Sequence, residues 1–494
     1  MLLTHIGRGP RLAVLFALVF ILLILLHQSS YTPLREWQIS TAALRKAGQD
    51  ILHTSSPSNA QSGATATATA TANSNENELD TAETSGLPCK SLPGGDDVLV
   101  IMRTGATEIK DKLPAQLYST FECFKHHIIF SDYEEAFLGF KVHDVLKDMP
   151  QEIKSNNEDF KHYLHIQDVG RMGLDAQELS GKVSEESGPV GKNDNAGWRL
   201  DKWKFLPMVN QTLSLQPDFK WYVFLEPDTY FVWSNFLQWI DNLDASKPLY
   251  YGSEVQIGED LFAHGGSAFV LSKPAMEKGV ELYNSKAAEW HAWTAGHWAG
   301  DCVLGKVLHD AGVDLSWGWP MFQGGEPAFD GRWLESKRHN TMWCAPAISY
   351  HHMVPSQILD YWHFEQEWIR EHLPKQEEKQ SLWRKDNSRL LHHGDTFKFY
   401  VMPNITEERH EWDSKPETQH EDTVGVPMEE CKAICTNTAT CLHYAVGPSG
   451  CSTGEELKMG RAAEGVSSGW MLDRIAVWKN ELDKCSGKDG WTIT

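Results

Sequence analysis

The chain has 494 residues, and its 67 acidic and 45 basic side chains give a net charge of −22 with His neutral. This charge argues against a nucleic-acid-binding protein, because such proteins carry a surplus of Lys and Arg that contacts phosphates. With 41% hydrophobic residues the chain can bury a sizeable core, so it is not disordered throughout, and its length corresponds to about three units.

An apolar run lies close to the N-terminus. Residues 12–26 read LAVLFALVFILLILL and follow Arg8 and Arg11. Such a run reaches about 22 Å as a helix, between the core of a signal peptide and a full crossing of the roughly 30 Å hydrocarbon layer. Because no small-x-small cleavage site follows and the Arg residues precede the run, we expect an uncleaved type II signal anchor, with a cleaved signal peptide as the alternative. We therefore expect a cytoplasmic tail at 1–11, an anchor at 12–30 in the Golgi or ER membrane, and a lumenal remainder.

The next segment, 31–90, is predicted to be a stem. Ala and Thr alternate from Ala64 to Ala72, and Ser, Asn and Glu follow without the apolar periodicity of a packed element. Further along, Asn210-Gln-Thr212 and Asn404-Ile-Thr406 match the N-glycosylation pattern, which agrees with a lumenal location.

From about Asp97 the sequence alternates between apolar runs and helical stretches. The apolar runs predict strands at 98–102, 127–130, 221–225, 249–251 and 267–271, with helices between them at 113–123 and 198–211. This alternation predicts an α/β domain whose ligands bind at the carboxyl ends of the strands. Three of these ends carry polar or acidic residues, namely Thr104 with Gly105, Asp132, and Glu226 with Asp228.

Glu226 and Asp228 form the most informative of these ends. Two carboxylates one residue apart after a buried strand can hold Mn²⁺ or Mg²⁺, with open positions that a diphosphate fills. Such an ion neutralises the charge on a departing nucleotide diphosphate. A surface turn with two solvated acids is the alternative for an acid-x-acid triplet.

Five short motifs follow one another from the acidic loop onward. They are Glu226-Pro-Asp-Thr-Tyr230, Tyr250-Tyr-Gly252, Gly265-Gly-Ser-Ala-Phe-Val-Leu-Ser-Lys273, Asp301-Cys-Val-Leu-Gly305 and Ala347-Ile-Ser-Tyr-His-His-Met353. In this order they resemble glycosyltransferase family 31, most closely the core 1 β1,3-galactosyltransferases and the Fringe-like enzymes, over roughly residues 97–370. The resemblance implies a GT-A type, Rossmann-like nucleotide-sugar-binding domain, which we assign to residues 91–375.

The same resemblance assigns roles to individual residues. It implies a Mn²⁺ or Mg²⁺ site at Glu226, Asp228 and His351, and a catalytic base at Asp301 that deprotonates the acceptor hydroxyl. The residues that it places near the UDP-sugar donor are Thr104, Gly105, Asp132, Lys202, Gly265 and Gly266. Structural alternatives remain open, since Asp301 can be a helix N-cap and Lys202 can lie on a solvated helix face.

The chain departs from the family pattern at two positions. Pro227 stands where the family has the middle Asp of its acidic triplet, and Gly300 stands where it has a Glu before the catalytic Asp. Pro227 cannot be a ligand, but the outer acidic pair remains. The missing Glu bears on the preference for donor or acceptor more than on catalysis.

Five cysteines crowd the C-terminal part of the chain, namely Cys431, Cys435, Cys441, Cys451 and Cys485. Their spacing lacks the C-x2-C pairs of common zinc modules, so in an oxidising lumen disulfides are expected. The segment 431–445 resembles the start of a PAN/apple module, in which a Cys-bearing helix is stapled to a small sheet. We therefore expect a disulfide-bonded α+β module at 426–494, after a linker at 376–425.

The resemblance as a whole implies an inverting, metal-dependent transferase with a UDP-sugar as co-substrate. It favours galactose from UDP-galactose, moved in β1,3 linkage to an N-acetylgalactosaminide-type acceptor on a glycan or glycoprotein. The expected partners are this donor, this acceptor and the membrane, and no nucleic acid is expected. A homodimer is compatible with these expectations. The alternatives are a Fringe-like β1,3-N-acetylglucosaminyltransferase and a non-catalytic carbohydrate-binding or adhesion protein.

Overall fold

The computed structural model describes residues 86–179, 196–334, 336–337, 340–372, 390–482 and 491. Over these residues, no helix combines the length and the apolar character that a bilayer crossing requires. The predicted tail, the predicted anchor at 12–30, most of the predicted stem and Cys485 lie outside the described residues.

The described residues contain strands throughout the chain. In chain order they are β1 (Val98–Arg103), β2 (His127–Ser131), β3 (Glu135–Phe137), β4 (Phe140–Asp144), β5 (Trp221–Leu225), β6 (Tyr230–Phe231), β7 (Tyr250–Gly252), β8 (Glu254–Ile257), β9 (Asp260–Ala263), β10 (Phe269–Ser272), β11 (Leu315–Trp317), β12 (Ala328–Phe329), β13 (Ser336–Lys337), β14 (Asn340–Thr341), β15 (Ser349–Tyr350), β16 (Glu408–Asp413), β17 (Thr418–Gln419), β18 (His443–Gly447), β19 (Gly450–Gly454), β20 (Leu457–Lys458) and β21 (Arg461–Trp470).

Helices alternate with the strands as the sequence predicts. They are α1 (Ile109–Leu117), α2 (Gln151–Asn156), α3 (Phe160–Val169), α4 (Ala196–Asp201), α5 (Phe205–Leu215), α6 (Trp233–Ile240), α7 (Lys273–Ser285), α8 (Ala287–Gly296), α9 (Gly300–Asp310), α10 (Pro355–His372), α11 (Met428–Asn437) and α12 (Leu472–Leu482). A helical turn at His393–Asp395 continues into a π-helix at Thr396–Val401.

The largest sheet has eight strands in the order β11-β7-β10-β5-β1-β2-β4-β3. β1 pairs in parallel with β2 and β5, β2 pairs in parallel with β4, and β7 does so with β11. β10 runs antiparallel to β5 and β7, and β3 runs antiparallel to β4. The prediction of an α/β fold with a large, mostly parallel sheet is confirmed. The carboxyl ends of β1, β2 and β5 consequently meet at one edge of this sheet.

Both faces of the large sheet are buried. Along β1, Val98, Val100 and Met102 join one hydrophobic cluster, whereas Leu99 and Ile101 join another, because successive side chains of a strand point to opposite faces. Helices α1, α6 and α10 contribute to the first cluster, and α3, α5, α7 and α9 contribute to the second. This three-layer packing explains why the apolar runs were continuous rather than alternating.

The C-terminal part forms a five-stranded sheet in the order β16-β21-β18-β19-β17. Helix α11 is stapled to it by the disulfides Cys431–Cys451 and Cys435–Cys441. Disulfides in this region are therefore confirmed. The strands β16 and β17 come from the segment predicted as a linker, so the small sheet begins before residue 426.

A further disulfide joins the start of the large domain to the segment after α1. Cys89 is buried and bonded to Cys123, so folded structure begins within the last residues of the segment predicted as a stem. Cys344 is also disulfide-bonded, while Cys302 is a buried free thiol.

Candidate functional site

The acidic loop follows β5 at the carboxyl edge of the large sheet. Gln116 of α1 fixes this loop, because its side-chain amide donates to the carbonyl oxygens of Pro227 at 2.9 Å and Thr229 at 2.8 Å. Pro227 thus contributes its carbonyl to the support of the loop. Its flanking residues Glu226 and Asp228 pair through their carboxylates with Arg103 and Lys112.

His351 reaches the acidic loop through strand pairing. β15 pairs with β6 in the register that sets Tyr350 opposite Tyr230, and Met353 donates its backbone N–H to the Asp228 carbonyl at 3.0 Å. The His351 Nε2 atom lies 3.4 Å from Asp228 Oδ1 and 3.9 Å from Glu226 Oε2. The three residues that the sequence analysis grouped as metal ligands are therefore neighbours in the fold.

The group of side chains best placed to hold an ion differs from the predicted one. Ligand atoms of Asp228, His351 and His352 all lie within 4.8 Å of one another. Asp228 Oδ1 and His351 Nδ1 are buried without a hydrogen-bond partner, which is costly unless another group satisfies them. One carboxylate and two imidazoles form a donor set that suits divalent first-row metals in general and does not by itself select Mn²⁺.

Glu226 is not part of this group. Its Oε2 lies 3.9 Å from His351 Nε2, and its Oε1 pairs with the guanidinium of Arg103. Arg103 also pairs with Asp201 and lies over the Phe205 ring at 4.0 Å from its centroid. Sequence reasoning missed both Arg103 and His352, although Arg103 directly follows the first predicted strand and His352 directly follows His351. Its polar side chain at the carboxyl end of a predicted strand could have indicated Arg103 as a candidate site residue.

The charges around the acidic loop shift its pKa values. Burial alone would raise the pKa of Asp228, but the Lys112 ammonium and His351 outweigh it and hold that pKa well below its usual range. For Glu226, burial is likewise outweighed by Arg103 and His351, which lower its pKa. His351 has its pKa raised, since Asp228 and Glu226 overcome the effect of burial. Both carboxylates are consequently ionised near neutral pH, as a cation site requires.

The predicted donor-binding residues of β1 and β2 also meet. Asp132 accepts a hydrogen bond from the Ala106 N–H at 2.7 Å and forms an ion pair of 2.9 Å with Lys204, whose ammonium also donates to the Thr104 carbonyl at 2.8 Å. A Cβ at Gly105 would lie 3.1 Å from the Lys204 Nζ and 3.2 Å from the Asp132 Oδ2, so glycine suits this position.

Lys202 lies elsewhere. Its ammonium pairs with Asp159 at 2.9 Å, and the same carboxylate oxygen accepts from the Trp203 indole N–H at 2.9 Å. The structure therefore places Lys204, rather than Lys202, beside the ends of β1 and β2. Both lysines follow helix α4 within three positions, and only the fold distinguishes them.

Gly265 and Gly266 lie between the acidic loop and Asp301. The Gly265 N–H donates to Asp301 Oδ2 at 2.8 Å, and a Cβ at Gly266 would lie only 2.2 Å from the His351 Cε1. The backbone of this segment therefore lies close to His351 and Asp301 without an intervening side chain, and its approach to a donor sugar stays a prediction.

Asp301 lies in the first turn of α9, where its Oδ1 accepts from the Cys302 N–H at 2.9 Å. The N-cap of α9 is Ala299, so the N-cap interpretation of Asp301 is wrong. At Gly300 a Cβ would lie 2.4 Å from the Phe205 ring and 2.6 Å from the Lys202 backbone. This packing explains why a Glu, which the resemblance would place there, does not fit this chain.

The two predicted glycosylation sites lie apart from this cluster. Asn210 is half-buried on α5 and its carbonyl accepts from the Asn284 amide at 3.0 Å. Asn404 is half-buried after the π-helix and donates to the Tyr400 carbonyl at 3.1 Å. Their modification remains a prediction.

Comparison with known proteins returned no match, either to a protein-family model or to a curated protein sequence. The functional interpretation therefore depends on the geometry of the site itself. That site combines a buried acid, two imidazoles, a glycine pair and Asp301 at the carboxyl edge of a parallel sheet.

Proposed function

We propose that the chain is a metal-dependent, inverting glycosyltransferase of the GT-A type, similar to family 31. Its donor would be UDP-galactose, and its acceptor an N-acetylgalactosaminide-type hydroxyl on a glycan or glycoprotein. It would act in the lumen of the Golgi or ER, held there by the N-terminal signal anchor.

The observation that carries this proposal is the convergence of residues from four of the five sequence motifs at one edge of the sheet. Asp228 and His351 lie 3.4 Å apart, Gly266 packs against His351, and Gly265 is hydrogen-bonded to Asp301. A surface turn with two solvated acids would not bury Asp228, whose residue exposure is 6%. Perturbed, buried titratable groups at the ligand-binding edge of an α/β sheet favour a functional site.

The residues present suit the roles of such a reaction. Asp228, His351 and His352 would hold the divalent ion. When bound, that ion would supply charge neutralisation for a nucleotide diphosphate. Gly265 and Gly266 would let the donor approach the backbone, with Lys204, Asp132 and Thr104 forming the wall at the ends of β1 and β2.

Asp301 would accept the proton of the acceptor hydroxyl. Inversion at the anomeric carbon needs one carboxylate to deprotonate the nucleophile while the nucleotide departs from the opposite face. Asp301 is held by two backbone N–H groups, those of Gly265 and Cys302, and this fixes its carboxylate in one orientation.

The experiment that tests this function is donor hydrolysis. Purified full-length protein would be incubated with UDP-galactose, UDP-N-acetylglucosamine and UDP-glucose, with Mn²⁺ or with a chelator, and released UDP would be measured. We expect Mn²⁺-dependent release that is fastest from UDP-galactose. Fastest release from UDP-N-acetylglucosamine would support the Fringe-like alternative, and no release from any donor would support the non-catalytic binding protein.

A further inference from the structure

A cavity of about 530 Å³ lies between the large domain and the small C-terminal sheet. The large domain contributes Trp319, Glu326 and Trp333 to its lining, and the chain between β19 and β21 of the small sheet contributes Glu456 and Lys458. His352, one of the three candidate metal ligands, lines the same cavity. The cavity therefore adjoins the candidate active site, and its volume is in the range of small-ligand sites.

The small sheet is held against the large domain by a strand pair and a shared core. β12 and β20 pair antiparallel, which sets Ala328 opposite Lys458 and Phe329 opposite Leu457. Leu457 and Phe329 are both fully buried in the core of the large domain. Because β20 pairs with β12 and Leu457 is buried, the backbone on either side of Leu457, at Glu456 and Lys458, is held in place.

The lining favours an uncharged, hydroxyl-rich ligand. Two indole rings offer flat apolar surface, and Trp side chains combine such surface with a polar N–H. The charged groups balance, since Glu326 and Glu456 face Arg332 and Lys458. Because positive charges do not outnumber negative ones in the lining, the cavity has no preference for phosphate. Its carboxylates accept hydrogen bonds and its ammonium and guanidinium groups donate them, so together they can bind several hydroxyls.

The polar groups are also pre-positioned by ion pairs. Lys458 lies 3.1 Å from Glu456 and 3.4 Å from Glu417, and Glu456 lies 3.5 Å from Arg332. Glu326 accepts from the Gln357 amide at 2.6 Å. Groups already held in place lose little freedom when a ligand binds, which favours affinity.

We propose that this cavity binds the terminal, uncharged sugar of the acceptor glycan, and that the C-terminal module is thereby part of the substrate site. The assignment rests on the proposed transferase function. Glu456 and Lys458 are specificity residues for the acceptor, supplied by a segment more than a hundred residues beyond His352. The module thus acts within the reaction site rather than as a separate binding domain.

The test measures sugar binding and nucleotide binding separately on the full-length protein. The sugar probe is p-nitrophenyl α-N-acetylgalactosaminide, titrated by calorimetry with and without UDP and Mn²⁺. The variants are Glu456→Gln and Lys458→Met, which keep side-chain size. The control is Glu455→Gln, because Glu455 is exposed, adjoins Glu456 and pairs with Thr440 away from the cavity.

We expect each cavity variant to weaken sugar binding by about tenfold or more, since charge-assisted hydrogen bonds contribute roughly 1.5–3 kcal/mol. Glu455→Gln is expected to bind as the wild type does, and thermal unfolding of each protein verifies folding. Unchanged sugar binding in both cavity variants, or no sugar binding by a wild-type protein that binds UDP with Mn²⁺, would overturn the cavity assignment. If the protein binds the sugar through Glu456 and Lys458 but binds no UDP, the proposed transferase function would be overturned instead.

Discussion

The ammonium of Lys112 lies 3.0 Å from Asp228 Oδ2, so a lysine already pairs with the acid that the candidate metal site needs most. The same ammonium lies 2.9 Å from Glu108, one helical turn earlier. Burial alone would lower the pKa of Lys112, but Asp228 and Glu108 outweigh it and raise that pKa. Lys112 is therefore a fixed positive charge beside the place where a divalent cation would bind.

This arrangement predicts that Lys112 limits the affinity for the metal. Lys112→Met should bind Mn²⁺ about tenfold or more tightly, because an ammonium and a divalent ion several ångströms apart repel by on the order of 2 kcal/mol even at high dielectric. Calorimetric titration with Mn²⁺ measures this change. The control is Lys110→Met, whose side chain is exposed on the same helix. Equal or weaker binding of Mn²⁺ by Lys112→Met would refute a site at Asp228.

The second prediction concerns the proposed base. Asp301→Asn should reduce sugar transfer by about 10²-fold or more, since the amide cannot take a proton from the acceptor hydroxyl. Binding of UDP with Mn²⁺ should be retained, because Asp301 contacts Gly265 and Cys302 and is not among the grouped metal ligands. Asp310→Asn, at the other end of α9, is the matched control. Full transfer activity in Asp301→Asn would remove Asp301 from the mechanism.

Much of this site could be predicted because its parts are local in sequence. The run Trp221–Leu225 is continuous and apolar, so it predicts a buried strand whose end must carry the acidic loop at the ligand edge. Gly265 and Gly266 were assigned to the same site by the resemblance, and the fold places them beside Asp301 and His351.

The remaining parts depend on contacts between distant segments. His352 becomes a candidate ligand only through the register of β15 with β6, which no local pattern specifies. The choice between Lys202 and Lys204 depends on how the turn after α4 meets β1 and β2. The cavity wall likewise requires β20 to pair with β12, so domain boundaries drawn at residues 375 and 426 separated two strands that pair in the fold.

The third prediction distinguishes those two lysines. Lys204→Met should lower the free energy of unfolding by about 3 kcal/mol or more, because it leaves the fully buried Asp132 without its cation. Lys202→Met should cost less, since Asp159 keeps the hydrogen bond from Trp203. Denaturant unfolding of the two variants measures the difference. A larger loss in Lys202→Met would contradict this placement of Lys204.

The last prediction uses the contact between Gly266 and His351. In Gly266→Ala the new methyl group would lie 2.2 Å from the His351 Cε1, so the imidazole must leave its present position 3.4 Å from Asp228 Oδ1. Thr229 holds the Gly266 carbonyl with a hydrogen bond of 2.6 Å, and this prevents the backbone from yielding instead. We expect Mn²⁺ affinity to fall by about tenfold or more, because a displaced imidazole removes one of three ligands.

The matched control for that variant is Gly296→Ala, at the end of α8, where a Cβ meets nothing within 4 Å. Titration with Mn²⁺ and thermal unfolding are measured on both proteins, so that a loss of metal binding is separated from a loss of fold. Because Gly266 bears no donor side chain, reduced affinity in a folded Gly266→Ala protein can arise only through the position of its neighbours. Unchanged Mn²⁺ affinity in that protein would show that His351 is not a ligand, and the metal site would then have to be sought around Glu226 instead.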